Sequence, residues 1–465
     1  MKRRFISVIT LLLACSLLLT GLCPCFAEEE ELPALDAKAA VLMDAASGEL
    51  LYYMNPDTPL YVAGLTVMMT SLLAAEAVDR EEISFDDVVT ASSSAHNDIT
   101  ADASIQNIVP GEEMTLEDLL YCAIVGGASE ACNIIGEYVA GSSSAFVSLM
   151  NARAKELGCT GTHFVNCHGL PNDEHYSTAR DMALIASAFV QHIELMDIAN
   201  SVSREIPSTN VSGARKLTSS NYILRTDYTR YYYSYACGIK TSYTDEAGFC
   251  LASSMKTGDN YVVSIMLGCK SVPTEDGFTD ILSFTQTKKL FQWFNSRYSL
   301  RDIVSMVEPI MEVPVELGEG TDSVVVCSAE GLSLFLPNDL DIATHYEREI
   351  EIYSLKEGAQ PLTAPISRGQ VLGELTVRAD TGITFGPFDL VANTDVAISR
   401  VELIRQRFHA MLDSTWFKFG LIVVLLILIL YIVFVSIYRA RRRKIRRSLR
   451  EQRRAEREAA SKDRE

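Results

Sequence analysis

The chain has 465 residues, 48% of them hydrophobic, and carries 41 Lys and Arg against 60 Asp and Glu, a formal charge of −19. That length holds more than one core, and the acidity argues against nucleic acid as a partner and against lying flat on anionic lipid. The charge is uneven: residues 439–465 hold 13 basic and 5 acidic residues, and with the three basic residues at the start this leaves −30 for the remainder.

Lys2, Arg3 and Arg4 precede an apolar run from Phe5 to about Leu22, and Cys25-Phe26-Ala27 has small residues at its first and third positions. This reads as a secretory signal over residues 1–27, cut after Ala27, with a lipoprotein cut before Cys15 as the weaker alternative. Ala39 to Asn55 reads as two strands about a turn at Ser47-Gly48. Gly64 to Val78 is apolar and helix-permissive. Met114 to Tyr138 opens with Thr115 as a cap three residues before Asp118, then continues as an apolar run. Ser143 to Leu157, stopping at Gly158, and Thr178 to Phe189 are further helices. Tyr235 to Tyr243, Phe249 to Ser254 and Tyr261 to Leu267 read as strands, and a long amphipathic helix from Thr279 to Phe294 closes a first domain, residues 28–300.

From Met306 to Ala397 short alternating runs punctuated by Gly and Pro predict a small all-β domain, residues 301–400. Val401 to Leu412 predicts a juxtamembrane helix in the 401–418 segment. Phe419 to Ile437 is 19 residues without a charge, close to the roughly 20 that a helix needs to cross a bilayer. The span (residues 419–438) is followed by the Arg-rich segment 439–465, which the positive-inside rule places in the cytoplasm with the large domains outside. The plain reading of that tail is an anchor on anionic lipid; the other is a cytoplasmic partner site.

Eight cysteines remain after the signal, an even number in an exported chain, so disulfides are permitted; buried free thiols are the simpler reading, and Cys237 with Cys250 is the first pair to test. Cys159, His163, Cys167, His168 and His175 cluster in sequence, but their spacing fits no standard structural zinc pattern. No metal and no cofactor are expected.

Three segments carry chemistry. Tyr61 to Thr70 reads YVAGLTVMMT, Asn107 to Cys132 reads NIVPGEEMTLEDLLYCAIVGGASEAC, and Gly238 to Leu251 reads GIKTSYTDEAGFCL. Between them, Phe146 to Asp181 contains FVSLMNARAKELG, THFVNCHGL and HYSTARD. Together they resemble the serine-type D-Ala-D-Ala carboxypeptidases, the low-molecular-mass penicillin-binding proteins. The likeness covers about residues 35–300, and LTAPISRGQVLGEL (362–375) is similar to the domain that follows in that family. The resemblance implies an α+β fold: a penicillin-binding-protein or β-lactamase-like transpeptidase domain, with an antiparallel sheet flanked by helices, then a small all-β domain and one C-terminal transmembrane helix.

Such enzymes need S-x-x-K, an S-x-N type motif and K-T-G. Ser and Lys at i and i+3 share a helix face, so the amine can take the hydroxyl proton. The strand lysine meets the substrate carboxylate. In this chain Gly64 stands at the nucleophile position and Val67 at the lysine position, while Gly126 and Ala128 stand at the Ser and Asn of the second motif. Lys240 and Thr241 are kept, and Ser242 replaces the glycine, where it would crowd the strand edge. Between Lys38 and Arg153 the only Lys or Arg is Arg80, so no nearby amine replaces the lost one. Ser253-Ser254-Met255-Lys256 and Lys256-Thr257-Gly258 imitate two of the motifs, but on a strand i and i+3 point to opposite faces.

The expectation is a membrane-anchored pseudoenzyme of this family, acting in peptidoglycan metabolism. Lys240, Thr241 and Ser242 would bind a stem peptide ending in D-Ala-D-Ala, or the chain would bind cell-wall proteins. One alternative is an active carboxypeptidase with an unconventional nucleophile, Thr66 or Ser129. The other is a cell-wall sensor signalling through its basic tail.

Overall fold

A computed structural model of the chain describes residues 33–101 and 103–462; the signal segment with its cut sites lies outside the described residues. The chain divides into two units: the first runs through Arg301 and takes in Leu334–Leu340, and the second comprises Asp302–Ser333 and the chain from Asp341 onward.

The first unit is built on a five-stranded antiparallel sheet. Its strands are β1 (Ala39–Asp44), β2 (Leu50–Met54), β3 (Ala236–Thr244), β4 (Gly248–Thr257) and β5 (Asn260–Cys269), in the order β2-β1-β5-β4-β3. Alternation along β1 sorts its side chains to two cores: Ala39, Val41 and Met43 enter one, Ala40 and Leu42 the other. A strand apolar at every position is what covering a sheet on both faces demands. On the first face pack α1 (Val67–Asp79) and α5 (Ala179–Phe189) with their neighbours; on the second, α7 (Leu282–Arg297) inserts Phe284, Leu290, Phe291 and Phe294. Helix α1 is buried on nearly all sides, which accounts for its apolar sequence VMMTSLLAAEAV.

The run from Met114 to Tyr138 is two helices, not one. Thr115 caps α2 (Leu116–Ile124), its hydroxyl accepting from Asp118 N as the sequence predicts, and α3 spans Ser129–Ala140. Between them Gly127 takes φ +67, a left-handed conformation that an apolar periodicity does not reveal. Helix α4 (Ser143–Glu156) and helix α6 (Ile193–Ala199) complete this layer. Helix α7 starts three residues later than its amphipathic pattern suggests, because Thr279–Ile281 pairs as a strand with Ser271–Pro273.

The second unit contains a five-stranded antiparallel sheet of β6 (Met311–Pro314), β7 (Ser323–Ser328), β8 (Tyr346–Ile352), β9 (Val371–Ala379) and β10 (Thr384–Ala392), ordered β6-β7-β10-β9-β8. Val313, Val326, Leu375, Val377 and Leu390 form its interior. The expected all-β region also holds a short α-helix, Ile342–His345, and a 3-10 turn, Tyr353–Leu355. Beyond the sheet come α8 (Arg400–Asp413) and α9 (Thr415–Lys462). Helix α9 contains the whole apolar segment 419–437, is long and apolar enough to cross a membrane, and continues without a break into the basic segment.

Candidate active-site cleft

All three motifs meet in one cleft of about 740 Å³. Gly64 and Val67 line one wall, Gly126 and Gly127 a second, and the edge strand β3 supplies Lys240, Thr241 and Ser242. Gly64 lies in a tight 3-10 turn, Ala63–Thr66, that leads into α1. The turn begins with Ala63 at φ +48, an unusual conformation for a residue with a Cβ. His168-Gly169-Leu170 runs against it so closely that a Cβ on Gly169 would lie 1.9 Å from the Ala63 carbonyl oxygen. On the strand side a Cβ on Gly238 would lie 2.2 Å from the Ala199 carbonyl oxygen. Both glycines are therefore demanded by backbone approach.

The positions without functional groups are filled. The Gly64 N–H donates to Ser242 Oγ at 2.8 Å, and a Cβ added to Gly64 would lie 2.8 Å from that same oxygen and 3.3 Å from Ser242 Cβ. A Cβ on Gly126 would lie 2.7 Å from the Cys122 carbonyl oxygen and 3.2 Å from both Gln106 Nε2 and Leu217 Cδ2. Val67 is packed into the core as the first residue of α1. Ala128 is fully buried at the N-cap of α3, where it makes no side-chain capping bond.

Lys240 is 6% exposed. Its ammonium donates to the Ile124 carbonyl at 3.0 Å, at the end of α2. Burial pulls its pKa down from 10.5 to about 8. Among the described residues no carboxylate pairs with it. The other charged groups lining the cleft, Asp245 and Glu246, are exposed. Thr241 also lines the cleft, but its hydroxyl donates to the Cys250 carbonyl on β4 at 3.3 Å.

The profile of a family described as D-alanyl-D-alanine carboxypeptidase matches residues 26–271. The chain is 31% identical over 407 residues to D-alanyl-D-alanine carboxypeptidase DacC of Escherichia coli, covering 84% of this chain and 94% of that protein. It belongs to the D-alanyl-D-alanine carboxypeptidase family. DacF of Bacillus subtilis is 28% identical, covering 83% of this chain and 91% of its own. Among solved structures, penicillin binding protein 5 of Haemophilus influenzae superimposes with a TM-score of 0.58 at 28% identity, over 79% of this chain and 99% of that one. A regulatory factor of peptidoglycan synthesis from Streptococcus pneumoniae shares the fold, with a TM-score of 0.63 at 23% identity over 78% of this chain and 100% of its own.

Within this carboxypeptidase-family fold, the substitute nucleophiles fare differently. Thr66 is fully buried, and its hydroxyl lies 2.9 Å from both the Ala63 carbonyl oxygen and His175 Nε2. Because His175 Nδ1 accepts from the Val165 N–H, the neutral ring carries its proton on Nε2 and donates it to Thr66. Burial, and then His168 and His163, hold the His175 pKa down at about 4. That imidazole has no free lone pair for the Thr66 proton. Ser129 lines the cleft at the start of α3, with no amine or imidazole in hydrogen-bond reach among the described residues.

The imitation motifs separate as strand geometry requires. Ser253 is buried and donates to the Cys237 carbonyl at 3.0 Å, while Lys256 is exposed over the Tyr261 ring. Cys237 pairs with Ser254 and Cys250 with Ser242 across β3 and β4, so Cys237 and Cys250 stand far apart in register and cannot bridge. Seven of the eight described thiols are buried, and all eight are free. The clustered His and Cys side chains bond to the fold: Cys159 to the Asp181 carbonyl, Cys167 to Asn133, His163 to the Glu174 carbonyl. Sequence reasoning did not find the partners that fill positions 64 and 126. The serine in place of the third-motif glycine was the one visible signal, and it suggested crowding rather than a bond to Gly64.

Proposed function

We propose that this family member holds peptides of the bacterial wall without cutting them, anchored by α9 with its folded units outside the membrane and its basic tail in the cytoplasm. The observation that carries the reading is Lys240. A buried ammonium without an anionic partner destabilises a fold, yet this one lies at the floor of the cleft with one of its three protons bonded to a carbonyl. A terminal carboxylate of a D-Ala-D-Ala peptide is the complement that would relieve it. The chemistry of cutting is opposed by the same cleft. Position 64 has no side chain, Val67 has no amine, and loss of a serine nucleophile alone costs about six orders of magnitude in turnover.

Two measurements test this on the full chain in detergent. Fluorescent penicillin is expected to leave no covalent adduct; a stoichiometric, long-lived adduct would end the non-cutting reading. Titration with a peptide ending in D-Ala-D-Ala is expected to give binding that Lys240→Ala abolishes. Equal affinities would remove the cleft from the argument and leave a cell-wall protein as the partner to seek. Protease digestion of sealed vesicles tests the orientation, with the tail protected when the outer face is exposed.

A further inference from the structure

The cleft has lost a serine at one wall and gained one at the other. Ser242 lines the cleft, and its oxygen accepts the Gly64 N–H at 2.8 Å. A hydroxyl has one proton to give as well as lone pairs to receive, and no acceptor for the Ser242 proton exists among the described residues. Accepting from a backbone N–H polarises the hydroxyl and strengthens it as a donor. Lys240 and Ser242 are i and i+2 on the edge strand, so they face the same side, roughly 7 Å apart along the chain. One C-terminal residue of a peptide, with its carboxylate at one end and the preceding amide carbonyl at the other, can span that interval with two hydrogen bonds.

We propose that Ser242 is a ligand-holding residue: it donates its proton to the carbonyl oxygen preceding the terminal residue of a bound peptide, and its hydroxyl takes space that a side chain at position 64 would need. The carbonyl that a nucleophile would attack is instead gripped, and the Gly64 N–H acts on it through the serine. Loss of the nucleophile and gain of Ser242 are then one steric change, since a side chain at 64 would lie 2.8 Å from the Ser242 oxygen.

The proposal rests on the holding reading, and the experiment separates their failures. A peptide ending in D-Ala-D-Ala, and its analogue with a trans-alkene in place of the final amide, are titrated against the full chain, Ser242→Ala and Lys240→Ala. Wild type is expected to favour the amide over the alkene about five-fold, the worth of one neutral hydrogen bond, and Ser242→Ala to lose that preference while keeping carboxylate-dependent binding. Ser242→Ala that still prefers the amide as wild type does, with Lys240→Ala still failing to bind, overturns the role of Ser242 and leaves the holding reading intact. Absence of peptide binding by wild type overturns both. A penicillin adduct present in wild type and missing in Ser242→Ala would make Ser242 a nucleophile and also overturn both. The steric half is read by thermal unfolding: Gly64→Ser should lower the midpoint, and Gly64→Ser with Ser242→Gly should recover it. An unchanged midpoint for Gly64→Ser sinks the coupling.

Discussion

The two sides of the cleft have fared differently. On the helical side Gly64, Val67, Gly126 and Ala128 carry no group for proton transfer or amide recognition, and protein atoms lie close against positions 64 and 126. On the strand side Lys240 persists, buried, with a pKa brought down to about 8 by that burial. A nucleophile and its base matter only in the transition state, whereas a cation for a carboxylate acts in the ground state. On the proposed reading, the difference between the walls is the difference between cutting and holding.

The largest effect should come from the glycines that seat the two walls. Gly169→Ala places a methyl 1.9 Å from a backbone carbonyl oxygen in a residue at φ +82. We expect a loss of more than about 3 kcal/mol, measured by urea unfolding; a fully stable variant would show that the turn around Gly64 is free to move.

Filling the vacated sites comes next and tells them apart. Gly64→Ser should cost about 1–3 kcal/mol and be relieved by Ser242→Gly, because the opposing atom belongs to a side chain. Gly126→Ser should cost a similar amount and resist rescue by Leu217→Ala, because its nearest obstacle is the Cys122 carbonyl. Equal rescue at both sites would erase that distinction.

Lys240 predicts a pH signature. Its folded pKa of about 8 lies below the ordinary 10.5, so between these values the unfolded chain binds more protons and stability rises with pH. Below about pH 8 the charge is present in both states and its burial opposes folding. Lys240→Met is therefore expected to be more stable than wild type at pH 7, with no gain in stability from pH 8 to 10. Peptide affinity of wild type should fall as pH rises past about 8, as the ammonium is lost.

His168 and His175 act in the opposite pH range. Burial holds both at about 4, against the ordinary 6.5. Between those values the unfolded chain again takes up more protons, so stability should fall as pH drops from about 6.5 to 4. His175→Gln should flatten part of that slope in urea titrations; an unchanged slope would place the acid sensitivity elsewhere. Smallest of all, Lys256→Ala should shift stability by less than about 0.5 kcal/mol and leave peptide binding unchanged, since this lysine is exposed on the outer end of β4.

Much of the fold is legible in the sequence. Runs of β-type residues placed β3, β4 and β5, Thr115 marked the start of α2, and an uncharged run marked the segment inside α9, because local composition and capping are written in neighbouring residues. The split of Met114–Tyr138 was not, since Gly127 takes a left-handed conformation within an otherwise helical pattern. For the site, the sequence singled out Gly64, Val67, Gly126, Ala128 and Lys240, and the cleft gathers all but the buried Ala128 along its lining. Thr241 was expected to face a ligand, yet its hydroxyl is engaged by β4.

The sequence by itself determined the family and which residues stand at positions 64, 67, 126, 128 and 240, because these depend only on which residue occupies each position. Only the tertiary structure decided what fills the gaps. Ser242 lies 178 residues from Gly64 in the chain, and the direction of the His175 proton depends on a Val165 N–H that meets its ring. Such facts arise where distant segments pack together, and steric occupancy and hydrogen-bond direction are set by that packing.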